Sequence, residues 1–270
     1  MTKNRLGTLA QRTIDDFGDQ WTHFQDNEGY YGSVALLQDT FGPLLDIEEV
    51  RGKRVAEIGS GTGRIVDMLL RAGAEHVFAL EPSDAFDVLV RNLATHGARV
   101  ECLRATGEHL PADRQFDLVV SIGVLHHIPD PPPVVRAAYA SLRPGGRIVV
   151  WLYGHEGNAG YLALVKPLRA VTARLGHGSV LMVARLLTLL VAPYIWLCRW
   201  LPLPLHGYFT RVFARMSREK RELIVYDQLR PAYAKYYKRD EALALLESAG
   251  FGSVVAARRH GYSWTVAGTK

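Results

Sequence analysis

Seven residues, Glu57-Ile58-Gly59-Ser60-Gly61-Thr62-Gly63, carry the densest chemical signal in the chain. They close the apolar run RVAEIGS (54–60), and a helical pattern follows them. A glycine-rich turn between a strand and a helix makes a tight bend and lets a ligand approach the backbone closely. A dinucleotide-binding turn would place its third glycine at position 64, which is Arg64. No Gly-Lys-Ser or Gly-Lys-Thr follows, so a phosphate-binding loop is excluded too. Glu81 ends the next apolar run, 18 residues beyond Gly63. A carboxylate there can accept hydrogen bonds from both ribose hydroxyls of a bound nucleoside. The alternative is a surface glutamate capping a strand end; beside the glycine turn, the ribose reading is stronger still.

Positioning these residues takes alternating strands and helices, and the pattern supplies them from about residue 52 to 151. Apolar runs at 54–60, 76–83, 99–105, 116–125 and 147–153 read as strands. Ile65, Met68, Leu69 and Ala72 have helical spacing after the first, and FDVLVRNLATHG, closed by Gly97, follows the second. PPPVVRAAYASLRPGG reads as a helix opened by prolines and stopped by Pro144-Gly145-Gly146. Such alternation implies an α/β fold with a doubly wound parallel sheet covered on both faces. The pattern lapses after Tyr153 and resumes with a helix at 239–251 and two final strands around Gly261. The expected organisation is an N-terminal helical and aromatic lid (1–51), an α/β core (52–153), a helical insertion (154–238) and the closing part of the core (239–270).

Charge separates the insertion from the rest. Of the 270 residues, 48% are hydrophobic and 22% charged, which fits a globular core. The net charge is +5, but residues 151–239 hold 14 Lys/Arg against 4 Asp/Glu, while the remainder holds 18 against 23. The basic surplus therefore sits in one segment, which reads either as a site for anionic partners or as a solvated helical surface. Cys102 and Cys198 are the only cysteines, too few for a disulfide scaffold, a four-cysteine zinc site or an iron–sulfur cluster. The first residues show no apolar signal segment, so a cytosolic protein is expected.

VAEIGSGTGR (55–64), LEPS (80–83), GEHLP (107–111), FDLVVSIGVLHHIPDP (116–131) and LRPGGRIVV (142–150) occur in this order. Together they resemble the class I S-adenosylmethionine-dependent methyltransferases, over about residues 52–153 and the closing strands. The resemblance implies a seven-stranded, mostly parallel Rossmann-like sheet with an antiparallel last strand, and the cofactor at the C-terminal strand edges. It places Gly59, Ser60, Gly61 and Gly63 beneath the cofactor, Glu57 near its methionine amino group, and Glu81 with Pro82 at the ribose. Thr106, Gly107 and Glu108 would edge the adenine; many relatives carry Asp where this chain has Thr106. Ser121 and Leu125 would border the methionyl end, and Tyr30 or Tyr31 would close over the cofactor. No metal is expected.

A sulfonium methyl is already activated, so transfer needs in-line approach of the acceptor and, for a hydroxyl, a base. His126 and His127 end a strand near the expected methyl position and are the candidate bases; a structural role for either is the alternative. Trp21, Tyr153, His206, Tyr208, Asp227, Tyr233 and Tyr237 are the candidate acceptor contacts. A basic, apolar insertion fits a small anionic or amphiphilic metabolite methylated on a hydroxyl or carboxyl oxygen. Nitrogen transfer, a lipid-linked or quinone acceptor, and a cofactor-binding scaffold without turnover are the alternatives. The run 179–205 has 13 charge-free residues between Arg185 and Arg199, short of the roughly 20 needed to span a bilayer. It reads as a lid helix, or as a contact with an anionic membrane surface that would make the protein peripheral to the inner membrane face. Nucleic acid is the least favoured partner, and the sequence leaves the oligomeric state open.

Overall fold

Strands β1 (Arg54–Ile58), β2 (His76–Leu80) and β4 (Phe116–Ile122) are buried along almost their whole length because both faces of the sheet are covered. With β3 (Val100–Leu103), β5 (Leu142–Tyr153), β6 (Gly252–Arg259) and β7 (Ser263–Thr269) they form one sheet in the order β3-β2-β1-β4-β5-β7-β6. The first five run parallel, and β7 lies antiparallel between β5 and β6. This is the mostly parallel arrangement with an antiparallel last strand that the motifs imply. The computed structural model describes residues 3–270, with side chains from Leu6 onward.

Helices α1 (Lys3–His23) and α2 (Val34–Phe41) precede the sheet. Helices α3 (Arg64–Arg71), α4 (Phe86–Leu93) and α5 (Pro132–Ser141) make the crossovers. The insertion is helical throughout: α6 (Ala159–Thr172), α7 (His177–Leu197), α8 (His206–Arg211) and α9 (Arg218–Leu229). Helix α10 (Arg239–Glu247) then leads into β6. Val180 and Ala184 of α7 and Leu223, Tyr226 and Leu229 of α9 join the same buried cluster as Val55, Val120 and Val149 of the sheet. The insertion thus shares the core of the domain it interrupts.

One strand differs from expectation. β5 begins at Leu142, five residues before the anticipated start, and takes in Pro144-Gly145-Gly146. Leu142 pairs with Phe116, and the register then jumps to Leu118–Arg147, so the proline and glycines form a bulge within the strand rather than ending the helix before it. The strand order reverses between β1 and β4. In doubly wound sheets, the crevice at the C-terminal ends of the strands on either side of such a point is where ligands bind.

Candidate active site

That crevice opens into a cavity of about 1120 Å³. Its floor comes from the turns after β1, β2, β3 and β4. Helix α1 roofs it with Leu6, Ala10, Ile14, Phe17 and Trp21, a helical stripe, and α6, α7 and α9 close the far side. The volume exceeds the roughly 300–1,000 Å³ of a typical single-ligand pocket, and the two ends differ in chemistry.

The polar end is built from the glycine turn. Gly59 and Ser60 donate their N–H groups to the Leu80 carbonyl, each at 2.9 Å, which ties the turn to the end of β2. Gly61 donates to Glu81 Oε2 at 2.7 Å, while Glu81 Oε1 accepts from the backbone N–H and the hydroxyl of Ser83. Glu81 is thereby held rigidly on the cavity wall with lone pairs left to accept from a ligand. Glu57, at the end of β1, is also on the wall and 1% exposed, and its Oε2 has no hydrogen-bond partner. Burial pushes its carboxyl up to about 8; a Ser60 hydrogen bond opposes this, the Glu81 charge adds to it, and Arg64 opposes it. A buried, unpartnered carboxyl of this kind is suited to a cationic group.

Of the residues expected at the cofactor, Tyr31, Glu57, Gly59, Ser60, Gly61, Glu81, Pro82, Thr106, Gly107 and Glu108 lie on the cavity wall. Four lie off it. Gly63 (φ +86) starts α3, and the space its missing side chain leaves is filled by Leu89 and Leu93, so its role is in helix packing. Tyr30 stands beneath the Arg215 guanidinium, 3.7 Å from the ring centroid. Ser121 is fully buried with its hydroxyl toward the Ile58 carbonyl, and Leu125 is 1% exposed in the opposite core cluster. At Gly59 (φ +77) a Cβ would meet Val124 at 2.5 Å, so a protein side chain, not only a ligand, requires the glycine there. Trp21, expected at the acceptor, lies instead over Gly61, with the indole Nε1 3.2 Å from where a Cβ would be.

The histidines separate clearly. His126 is fully buried, its ring 3.8 Å from the Tyr153 ring and tilted by 34°, and neither ring nitrogen has a side-chain partner. Burial, then the neighbouring His127 and Arg169, push its pKa well below the usual value, so it is a neutral packing group behind the wall. His127 is on the wall, and its Nδ1 lies 2.8 Å from the Tyr233 carbonyl. A carbonyl only accepts, so Nδ1 carries the proton and Nε2 keeps the lone pair. Burial lowers the His127 pKa, while Asp227 and the Tyr233 bond pull the other way.

Tyr153, Tyr208 and Asp227 also lie on the wall, whereas His206, Tyr233 and Tyr237 do not. His206 is exposed at the start of α8, Tyr233 contributes its carbonyl rather than its phenol, and Tyr237 is 2% exposed in the core beside β5. Around Asp227 stands a network that the sequence did not reveal. Tyr153 donates to Asp227 Oδ2 at 2.8 Å and accepts from Gln228 at 2.6 Å, and Tyr161 donates to Gln228 Oε1 at 2.6 Å. Arg169 reaches the Gln228 carbonyl at 2.7 Å and the Tyr236 hydroxyl at 3.0 Å. Asn158, on the wall and 2% exposed, leaves its Oδ1 unpartnered. Beyond this polar ring the cavity is apolar, lined by Leu168, Leu187, Val191, Phe209, Val212 and Met216 among others.

Residues 56–150 match the protein family described as "Methyltransferase domain". The chain is 30% identical over 142 residues to a Pseudomonas entomophila protein named "Ubiquinone biosynthesis O-methyltransferase", which covers 47% of this chain and 61% of that one. It is 29% identical over 117 residues to the "tRNA U34 carboxymethyltransferase" of Idiomarina loihiensis, covering 42% of this chain and 36% of the relative. A solved S-adenosylmethionine-dependent methyltransferase from Aquifex aeolicus shares the fold, with a TM-score of 0.51 at 12% identity, over 93% of this chain and 97% of that one.

Proposed function

We propose that this chain, whose residues 56–150 are a methyltransferase domain of the S-adenosylmethionine-dependent class, transfers a methyl group to a hydroxyl or carboxyl oxygen of a small anionic or amphiphilic metabolite. The observation that carries this reading is the two-ended cavity, with Glu57 and Glu81 at one end and an apolar chamber at the other. The cofactor fits the polar end: the unpartnered Glu57 Oε2 suits its ammonium, and the fixed Glu81 carboxylate suits its ribose hydroxyls. When bound, S-adenosylmethionine supplies a methyl group already activated on sulfur.

The chain's own residues do the rest. Helix α1 excludes water from above, and the side chains of α6, α7 and α9 enclose an acceptor with a substantial hydrocarbon part. His127 Nε2 takes the proton of an acceptor hydroxyl, and its Nδ1–H bond to Tyr233 holds the ring in the tautomer this requires. Tyr153 stays protonated, because burial and then Asp227 push its pKa well above 10, so it donates to Asp227 and does not act as a base. Asp227 and Gln228 orient the polar head of the acceptor. The ubiquinone-biosynthesis relative supports oxygen as the acceptor atom, although this chain spans only 61% of that protein.

His127→Gln tests the assignment against a panel of phenolic, sugar-phosphate and carboxylic acceptors, read as a mass gain of one methyl group. With a hydroxyl acceptor, turnover should fall about 10²–10⁴-fold while cofactor binding is retained. The wild-type rate should rise with pH through a midpoint below 6.5, because the folded pKa of His127 is lowered and the neutral ring is the active form. A carboxylate acceptor needs no base, so full turnover by His127→Gln on such an acceptor would assign the carboxyl and leave His127 a positioning residue.

A further inference from the structure

We infer that the outward face of α7 is a docking surface for an anionic lipid bilayer, with the helix lying along the membrane plane. Val180, Ala184, Thr188 and Ile195 of α7 are buried against the protein. On the opposite side, Met182, Leu186, Leu189, Leu190 and Leu197 recur at intervals of three, four and seven residues, with exposures from 38% to 68%. Trp196 and Trp200 stand at the C-terminal end of the row, 59% and 75% exposed. A continuous apolar stripe of this length is more than the scattered exposed leucines of an ordinary surface, and tryptophans at its end suit a water–lipid boundary.

Charge selects the occupant. No acidic residue occurs between Glu156 and Glu219, while Lys166, Arg169, Arg174, Arg185, Arg199, Arg211, Arg215 and Arg218 all fall in that interval. Arg174 and Arg199 are exposed just beyond the two ends of α7. An apolar stripe bracketed by cations matches an anionic bilayer: the hydrocarbon side chains enter the headgroup boundary and the arginines meet the phosphates. A second copy of this face would bring the exposed Arg174 and Arg199 against like charges, with no acidic residue on α7 to offset them, which disfavours self-pairing.

By length and composition α7 could cross a membrane, with a mean hydropathy of 2.0 in its most apolar stretch, 22% of which is buried. Its packing argues for lying flat. One side belongs to the protein core, Leu187, Val191 and Tyr194 line the cavity, and Arg185 in mid-helix pairs with Glu222 of α9 at 3.3 Å. A helix so engaged on one side presents only the other to lipid. The same helix thereby joins the bilayer to the apolar end of the cavity. That route for an amphiphilic acceptor rests on the methyltransferase reading; the docking itself does not.

Flotation of the full chain with vesicles tests the docking. Phosphatidylcholine vesicles containing phosphatidylglycerol should carry the protein upward, with binding roughly tenfold or more above that to pure phosphatidylcholine, as expected for two or more cations near an anionic surface. The triple variant Leu186→Gln/Leu190→Gln/Trp200→Gln, whose positions lie off the cavity wall, should lose flotation yet still bind S-adenosylmethionine. In the wild type, brominated lipid should quench part of the tryptophan fluorescence, a readout that needs no variant. A wild type that ignores anionic vesicles and shows no quenching overturns the proposal, as does a triple variant that floats equally well. So does a dimer, seen by sedimentation, that the triple variant abolishes in a chain indifferent to lipid. Flotation reports on docking alone, and cofactor binding on the methyltransferase reading alone, so failure of one is distinguishable from failure of the other.

Discussion

Glu57 and Glu81 are near neighbours on the cavity wall, yet their surroundings give them different tasks. Glu81 is fixed in orientation by Gly61 and Ser83 and keeps lone pairs for a ligand, whereas Glu57 is buried with an oxygen unpartnered. Because the Glu57 pKa is raised from 4.5 to about 8, the carboxyl is mostly protonated at pH 7 before a ligand arrives. A cation beside it favours the charged form, so cofactor binding at pH 7 should release close to one proton. The heat of binding should therefore vary with the ionisation enthalpy of the buffer, and Glu57→Gln should make it buffer-independent. Equal heats in all buffers for the wild type would remove Glu57 from the ammonium site. Both glutamates were legible in the sequence because their signal is local, a residue type at a fixed offset from a glycine turn. The acceptor network was not. Tyr153 meets Asp227 and Gln228 across 74 and 75 residues, and Tyr161 meets Gln228 across 67. Only the folding of the insertion back onto β5 brings them together.

Among the elements, α1 has the most to do with access to the site. Gly18 lets it approach the turn that holds Glu81: a Cβ there would stand 3.2 Å from Ser83 Cβ and 3.3 Å from the Asp84 nitrogen. Arg230 ties the helix down through Asp16 and Asp19, at 3.4 and 2.9 Å, and Gln20 reaches Asp227 at 3.1 Å. Gly18→Leu should lift α1 from the cavity, cost roughly 1–3 kcal/mol of stability as an overpacked contact, and raise the cofactor dissociation constant. Calorimetry and thermal melting check the two effects together; unchanged affinity in a destabilised protein would mean that α1 does not cover the cofactor end. The stripe Leu6, Ala10, Ile14, Phe17 and Trp21 has helical spacing, but its face toward the cavity is set by the packing of α1 over the glycine turn, whose Gly61 lies 40 residues beyond Trp21. Strand existence followed from composition, while the start of β5 did not, because a bulge absorbs a proline and two glycines that normally end an element. Helix α7 runs through Arg185, a good helix former whose side chain reaches Glu222 of α9, so the charge that ends the apolar count does not end the helix.

Taken whole, the molecule joins a negatively charged cofactor-binding core to a basic, apolar cap that contributes to the same hydrophobic core. The mostly parallel seven-stranded sheet with its antiparallel last strand was legible through the resemblance carried by five ordered motifs, whereas the strand order and its switch point come from the structure alone. What the cap accepts was not legible, because the cavity surface there is assembled from α6, α7, α8 and α9 with no local motif among them. In the proposed function, cofactor and acceptor meet in this one cavity, and the first requirement is cofactor binding at its polar end. Isothermal titration of the full chain with S-adenosylmethionine and S-adenosylhomocysteine tests this most directly, with Glu81→Ala as the paired variant. Micromolar binding of both ligands by the wild type is the expected result. Losing the ribose contacts to a charged acceptor is worth about 1.5–3 kcal/mol, so Glu81→Ala should weaken binding roughly 10- to 100-fold. No binding by the folded wild type, or equal binding by the folded variant, would contradict it.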